Sequence, residues 1–283
     1  SMDPIVLSLV LAAALLHATW NALVKAGGDP FVRLAVVNAV GGLCCVPLLF
    51  LVAPPAPPSW TYLFGSVVVH HGYYLALAYG YRFGDLSHVY PIARGIAPPL
   101  VALAAWALAG EGLGPLGLFA ILIISGGIVS LAFTSDGRLV APKPLLFGLA
   151  TGLTIAAYTL FDGLGGRAAG DVVGYIAWLF VIDAVPFSII VACRYRRRLG
   201  PALAACWRPA ALGGVLSVIA YGLVIWAMTL TPMAAVSALR ETSVIIAALI
   251  GTRLLREPFG ARRVLAASLV AVGVVLLQVS RAA

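Results

Sequence analysis

Charge is what this sequence has least of. Asp, Glu, Lys and Arg make up 10% of its 283 residues, where an ordinary soluble domain carries about 25%. So few ionic groups cannot coat a water-facing surface, which excludes a soluble globular protein. Cysteine is scarce too. Cys44, Cys45, Cys193 and Cys206 form no CxxC or Cys/His spacing, so neither a disulfide framework nor a zinc site is supported. A GxxxxGK[ST] loop is missing, which argues against ATP drive within the chain. HExxH, GxSxG and a paired-carboxylate motif with its base are missing as well, so the chain is expected not to be an enzyme. No catalytic residues, metal or cofactor are expected. What the chain has in excess is apolar: 62% of residues are hydrophobic, and mean hydropathy is +1.06. The net charge of +8 does not indicate nucleic acid, because the Lys and Arg fall in short loops between apolar runs.

Those runs predict an all-α integral membrane protein. A spanning helix needs about 20 mainly apolar residues, and ten runs qualify: 4–24, 31–52, 60–81, 86–109, 114–134, 144–164, 171–193, 208–229, 232–254 and 259–280. The loops after spans 1, 3, 5, 7 and 9, with their flanks, hold fourteen of the eighteen Lys and Arg. Basic loops stay in the cytoplasm, so the multi-pass chain is expected with both termini outward. The run Arg194 to Arg198 reads as a topological marker that also attracts anionic lipid headgroups.

One stretch occurs twice. Residues 85–131 superimpose without a gap on residues 231–277 at an offset of 146. Arg94 falls on Arg240, Glu111 on Glu257, Gly114 on Gly260 and Gly127 on Gly273. Ala and Leu matches are cheap in such a chain; the Arg, Glu and Gly matches are not. The expected domains are therefore residues 1–139 and 140–283. Each has five spans, an odd number, so the copies must be inverted relative to each other, as the alternation of basic loops also requires. A duplicated, inverted membrane unit suggests a secondary transporter working by alternating access through a cavity between the repeats.

The segment from Pro91-Ile-Ala-Arg94 through Pro98-Pro99, Gly110-Glu111 and Gly126-Gly127 to Leu131 resembles the EamA repeat of the drug/metabolite transporter superfamily. So does Arg240 through Glu257-Pro258 to Leu277, and His17-Ala-Thr-Trp20-Asn21 with Lys25 is similar to the first helix of EamA units. The resemblance implies a ten-helix exporter of amino acids or related small metabolites in the inner membrane, close to the aromatic amino acid exporters; separately, no sequence feature calls for a dimer, and a monomer is the expectation. A membrane-embedded enzyme acting on lipid, or a non-transporting scaffold, is the alternative.

The candidate solute-binding residues are those costly to bury. Arg94 and Arg240 lie about 10–14 Å into their helices, where an ionised side chain needs a partner or a wet cavity. They are expected either to meet an anionic group of the solute or close one end of its path, or to bond helix-end carbonyls or a neighbouring acid. Glu241 follows Arg240 directly and points about 100° away, so the two do not pair along the helix. Glu241 and Asp162 are the proton-relay candidates; Asp162 sits near its span's end and is expected to be wet. Asp183 lies mid-span with no evident partner. Aromatic and polar side chains at helical spacing complete the cavity set: His17, Trp20 and Asn21 on span 1, His70, His71 and Tyr74 on span 3, Tyr90 on span 4, Tyr158 on span 6 and Tyr221 on span 8. Glu111 and Glu257 are expected to accept amide bonds at the start of the helix that follows each.

Overall fold

The computed structural model describes residues 3–25, 29–83, 86–133, 141–246 and 261–280, and every regular element in them is helical. The helices are α1 (Pro4–Lys25), α2 (Pro30–Cys45), α3 (Ser59–Phe83), α4 (Leu86–Ala109), α5 (Pro115–Val129), α6 (Pro142–Ala168), α7 (Val172–Tyr195), α8 (Leu199–Leu230), α9 (Met233–Arg240) and α10 (Ala261–Val279). Residues 242–246 are helical again. Local chemistry places many of these boundaries. Proline stands at the first position of α1, α2, α5 and α6, where its missing N–H costs nothing. Asp29 caps α2 by accepting from Phe31 N and Val32 N, and Asp171 caps α7 through Val173 N and Gly174 N.

Three expected spans need correction. The second helix ends at Cys45 and continues as a 3-10 turn over Val46–Phe50, because Pro47 cannot supply an α-helical donor. α8 begins at Leu199, nine residues before the expected 208. The arginine run is not a loop: Arg196 turns the chain with a φ of 42°, and Pro201 falls in the first turn of α8, where it is tolerated. The ninth span is broken after Arg240. There the bonds tighten to three-residue spacing, Glu241 N to Ala238 O and Val244 N to Glu241 O.

Polarity is arranged inside out. Phe50, Leu51, Val68, Leu103, Trp106 and Leu108 stand more than half exposed, while Arg94, Asp162, Asp183, Arg240 and Glu241 are buried. That is the arrangement of an all-α membrane protein, whose surroundings are as apolar as its core. The stretches Phe31–Phe50, Pro91–Ala109, Leu145–Ala168 and Val172–Leu230 are long and apolar enough to cross a membrane.

α3 and α4 both pack on α6, α1 packs on α8, α2 lies against α7 and α8, and α5 pairs with α10. The α5–α10 crossing is made by the repeat-matched glycines. A Cβ on Gly127 would lie 3.3 Å from Ala266 O, and one on Gly273 would lie 3.0 Å from Ala120 O. Ala120 and Ala266 are themselves repeat equivalents, so the two contacts are one contact with the copies exchanged.

Candidate functional site

α1, α4, α8 and α9 meet around a narrow crevice. Its polar wall is His17, Arg94, Tyr221 and Arg240; its apolar wall is Ala13, Ala14, Ala220 and Val224. The space inside admits little more than a water molecule. Arg94 spends its charge on the wall itself: Nε donates to Glu241 Oε2 at 3.0 Å and Nη2 lies 3.0 Å from Glu241 Oε1. Both side chains are at most 3% exposed, so this is a fully buried fork-to-fork pair. The partner that the sequence did not supply for Glu241 is thus on α4. The tight turn after Arg240 makes the pairing possible by sending Arg240 to the crevice and Glu241 to α4.

Arg240 is placed differently. Its guanidinium lies 5.2 Å from the centre of the Tyr221 ring, a cation–π contact, and among the described residues it has no carboxylate partner. The duplication explains the asymmetry. The repeat equivalent of Glu241 is Gly95, so the acid that neutralises Arg94 has no counterpart for Arg240.

Behind Tyr221 lies an aromatic and acidic network. Asp162 is fully buried, a correction to its expected wet position. Tyr175 from α7 donates to its Oδ1 at 3.0 Å, and the Tyr221 hydroxyl donates to its Oδ2. These two rings close off the water that its place near a helix end suggested. His70 stacks on Tyr158 at 4.1 Å, and Tyr221 stands edge-on to both. Trp20 sits edge-on against His17 at 5.3 Å, on α1. His71 and Tyr74 turn away from this group, towards Asp183 on α7. The side chains of Asn21 and Tyr90 lie outside the described residues.

Glu111 has a structural place, but not the expected one. α5 carries no side-chain cap. Glu111 instead reaches the start of α9, where Met233 N donates to its Oε2 at 2.9 Å, and it pairs with Arg167 of α6. Arg167 also donates to the carbonyls of Met228 and Thr231, at 2.8 and 3.2 Å. The clamp therefore ties the α4–α5 turn and the end of α6 to the α8–α9 elbow. Glu257 lies outside the described residues. Replacing Glu111 with Ala strands one helix-start N–H and leaves Arg167 only its two carbonyl acceptors. The expected loss is about 1–3 kcal/mol, read as a lower thermal unfolding midpoint in detergent; an unchanged midpoint would reduce the clamp to a surface contact.

The model of the EamA-like transporter family matches residues 142–279. No curated protein sequence matches the chain. A crystal structure of a protein with 18% sequence identity is similar over 98% of this chain and 97% of that one, with a TM-score of 0.75; at that identity the likeness is one of fold.

Proposed function

We propose, from the match of residues 142–279 to the EamA-like transporter family, that the chain is a secondary transporter that exports amino acids or related small metabolites. The observation that carries this reading is Arg240. A buried guanidinium on a crevice wall, with no carboxylate partner among the described residues, is suited to bind one anionic group of a solute. Tyr221, His17 and the His70–Tyr158 stack supply ring area and polar tips for an amphipathic body. The solute's anion belongs on Arg240, and Arg94 with Glu241 forms the fixed wall beside it.

The architecture we propose is ten spans in two inverted five-helix units, residues 1–139 and 140–283. Its support is the exchange of contacts: Gly127 with Ala266 against Gly273 with Ala120, and α1 on α8 against α3 on α6. A pseudo-two-fold axis of this kind allows the crevice to open to either side as the units rock. The crevice as seen is then an occluded form. The setting is the inner membrane, with the protein a monomer, its termini outward, and anionic lipid at the exposed side chains Arg194, Arg196, Arg197 and Arg198.

The test is uptake and efflux of a panel of labelled amino acids in proteoliposomes. Wild type should move carboxylate-bearing solutes, Arg240→Ala should lower the rate at least about 100-fold, in line with the loss of a charge-assisted bidentate contact of about 3 kcal/mol, and Arg240→Lys should fall between. Transport that survives Arg240→Ala in folded protein would make this arginine structural. No movement by wild type, with or without a pH gradient, would favour a non-transporting scaffold, which a crevice this narrow also suits.

A further inference from the structure

Outside the crevice, α3 buries a second polar group against α2 and α7. Asp183 stands mid-α7 and is 7% exposed. The Tyr74 hydroxyl lies 2.9 Å from its Oδ2 and 3.2 Å from Asn38 Oδ1. His71 Nδ1 lies 2.7 Å from Val67 O and 3.5 Å from Asp183 Oδ1. Asp183 Oδ1, His71 Nε2 and Asn38 Nδ2 are buried with no hydrogen-bond partner among the described residues. None of these side chains lines the crevice.

With Asn38 Oδ1 facing Tyr74, the hydrogens in this cluster do not balance while Asp183 is ionised. Asp183 Oδ2, the Tyr74 oxygen and Asn38 Oδ1 form a chain with two short contacts, yet the tyrosine supplies one hydrogen. His71 gives its Nδ1–H to Val67 O, so it leaves Asp183 Oδ1 unserved. A proton on Asp183 Oδ2 completes the chain: the carboxyl donates to Tyr74, and Tyr74 donates to Asn38 Oδ1. When that proton leaves for water, Tyr74 turns its hydrogen back to the carboxylate, and the Asn38 amide can turn over to offer its NH2 to the tyrosine oxygen. Charge argues the same way. The acid's nearest cationic candidate is His71. Arg33, at the start of α2, interacts with Cys206 of α8 and with Asp29. Tyr73, the remaining titratable neighbour on α3, is edge-on to Tyr158 as well as to Tyr74. A lone buried carboxylate in an apolar medium is costly, and binding one proton to the Asp183–His71 pair neutralises it.

We propose that Asp183, Tyr74 and Asn38, with His71, form a proton-binding site separate from the solute crevice, and that its proton is the coupling ion for transport. The second half of this inference rests on the transporter reading. The mechanical link is α3. His71 and Tyr74 hold it to α7 through Asp183, while the adjacent His70 stacks on Tyr158 and touches Tyr221 of the crevice wall. Loading or releasing the proton changes the α3–α7 tie, and with it the footing of that wall.

Infrared difference spectra of the full chain in nanodiscs, from about pH 5 to about pH 8.5, test the site directly. Wild type should show a buried protonated-carboxyl band that Asp183→Asn lacks. Tyr74→Phe, which removes the carboxyl's hydrogen-bond partner and no charge, should keep the band and shift its frequency. In proteoliposomes, an imposed pH gradient should stimulate wild-type transport severalfold and Asp183→Asn not at all. An identical band in Asp183→Asn overturns the site, and gradient stimulation that persists there overturns the coupling. If wild type moves no solute, the transporter reading falls with the coupling, while the infrared arm still decides whether Asp183 holds a proton.

Discussion

Glu241→Ala should lower stability far more than Arg94→Ala, although both break the same pair. The two side chains are at most 3% exposed and meet at 3.0 Å through two contacts. Without Glu241, Arg94 and Arg240 face one crevice as unneutralised cations, and an arginine cannot shed its proton. Stranding one partner of a buried pair costs about 3–5 kcal/mol. Without Arg94, Glu241 has two escapes: it can take up a proton, or it can turn to Arg240, which already acts on it electrostatically. The expected loss is then about 1–3 kcal/mol. Removing both charges together, as Arg94→Met with Glu241→Leu, should recover most of the stability, because a well-packed apolar pair commonly matches a buried ionic one. Thermal unfolding of the four proteins in one detergent checks this. Equal losses for the two single variants would mean that Arg94, too, can shed its cost, which only a solvated site would allow. The comparison also separates wall from ligand contact: Arg94 matters first for stability, Arg240 first for transport.

The arginines and glycines that mattered most were legible because the chain carries each of them twice. An offset of 146 pairs Arg94 with Arg240 and Gly127 with Gly273 in the sequence alone. Helix starts were legible where proline marks a first turn. Partners were not, because Glu241 and Arg94 are 147 positions apart and Glu111 reaches Met233 across 122. One signal was there to be used: Glu241 aligns with Gly95, so the second copy has an acid that the first lacks. The break after Arg240 has no glycine or proline to announce it. Its local trace is Thr242, whose hydroxyl bonds Leu239 O at 2.8 Å and so competes with the helical ladder. α8's early start was hidden by charge, since Arg196, Arg197 and Arg198 look like a loop although arginine is a good helix former. On α3, Tyr74 is one turn from both His70 and His71, and spacing alone could not say that His71 joins it at Asp183 while His70 goes to Tyr158.

Gly273→Val should be far more damaging than Gly126→Val, because only the first meets a neighbouring backbone. No hydrophobic force brings two helices together in lipid, so α5 and α10 depend on close backbone approach. A Cβ on Gly273 would lie 2.4 Å from Ile124 Cγ1 and 3.0 Å from Ala120 O. The side chain of Ile124 could move, but the carbonyl belongs to the α5 backbone, so the helices must part. At Gly127 the nearest atoms are Leu269 Cβ at 2.9 Å and Ala266 O at 3.3 Å, a slightly looser fit. A Cβ on Gly126 meets nothing within 4 Å. Overpacking costs about 1–3 kcal/mol; valine at 273 should sit at or above the top of that range, and valine at 127 within it. Thermal unfolding and the yield of monodisperse protein would show the order, and damage from Gly126→Val equal to that from Gly273→Val would sink it. The double variant is more telling. Gly127 and Gly273 serve a single crossing seen from its two copies, so once one valine has separated the helices the second has little left to break. Losses well below the sum of the singles are therefore expected, whereas full additivity would mean two independent contacts and would remove the exchange of contacts as support for an inverted pair of units.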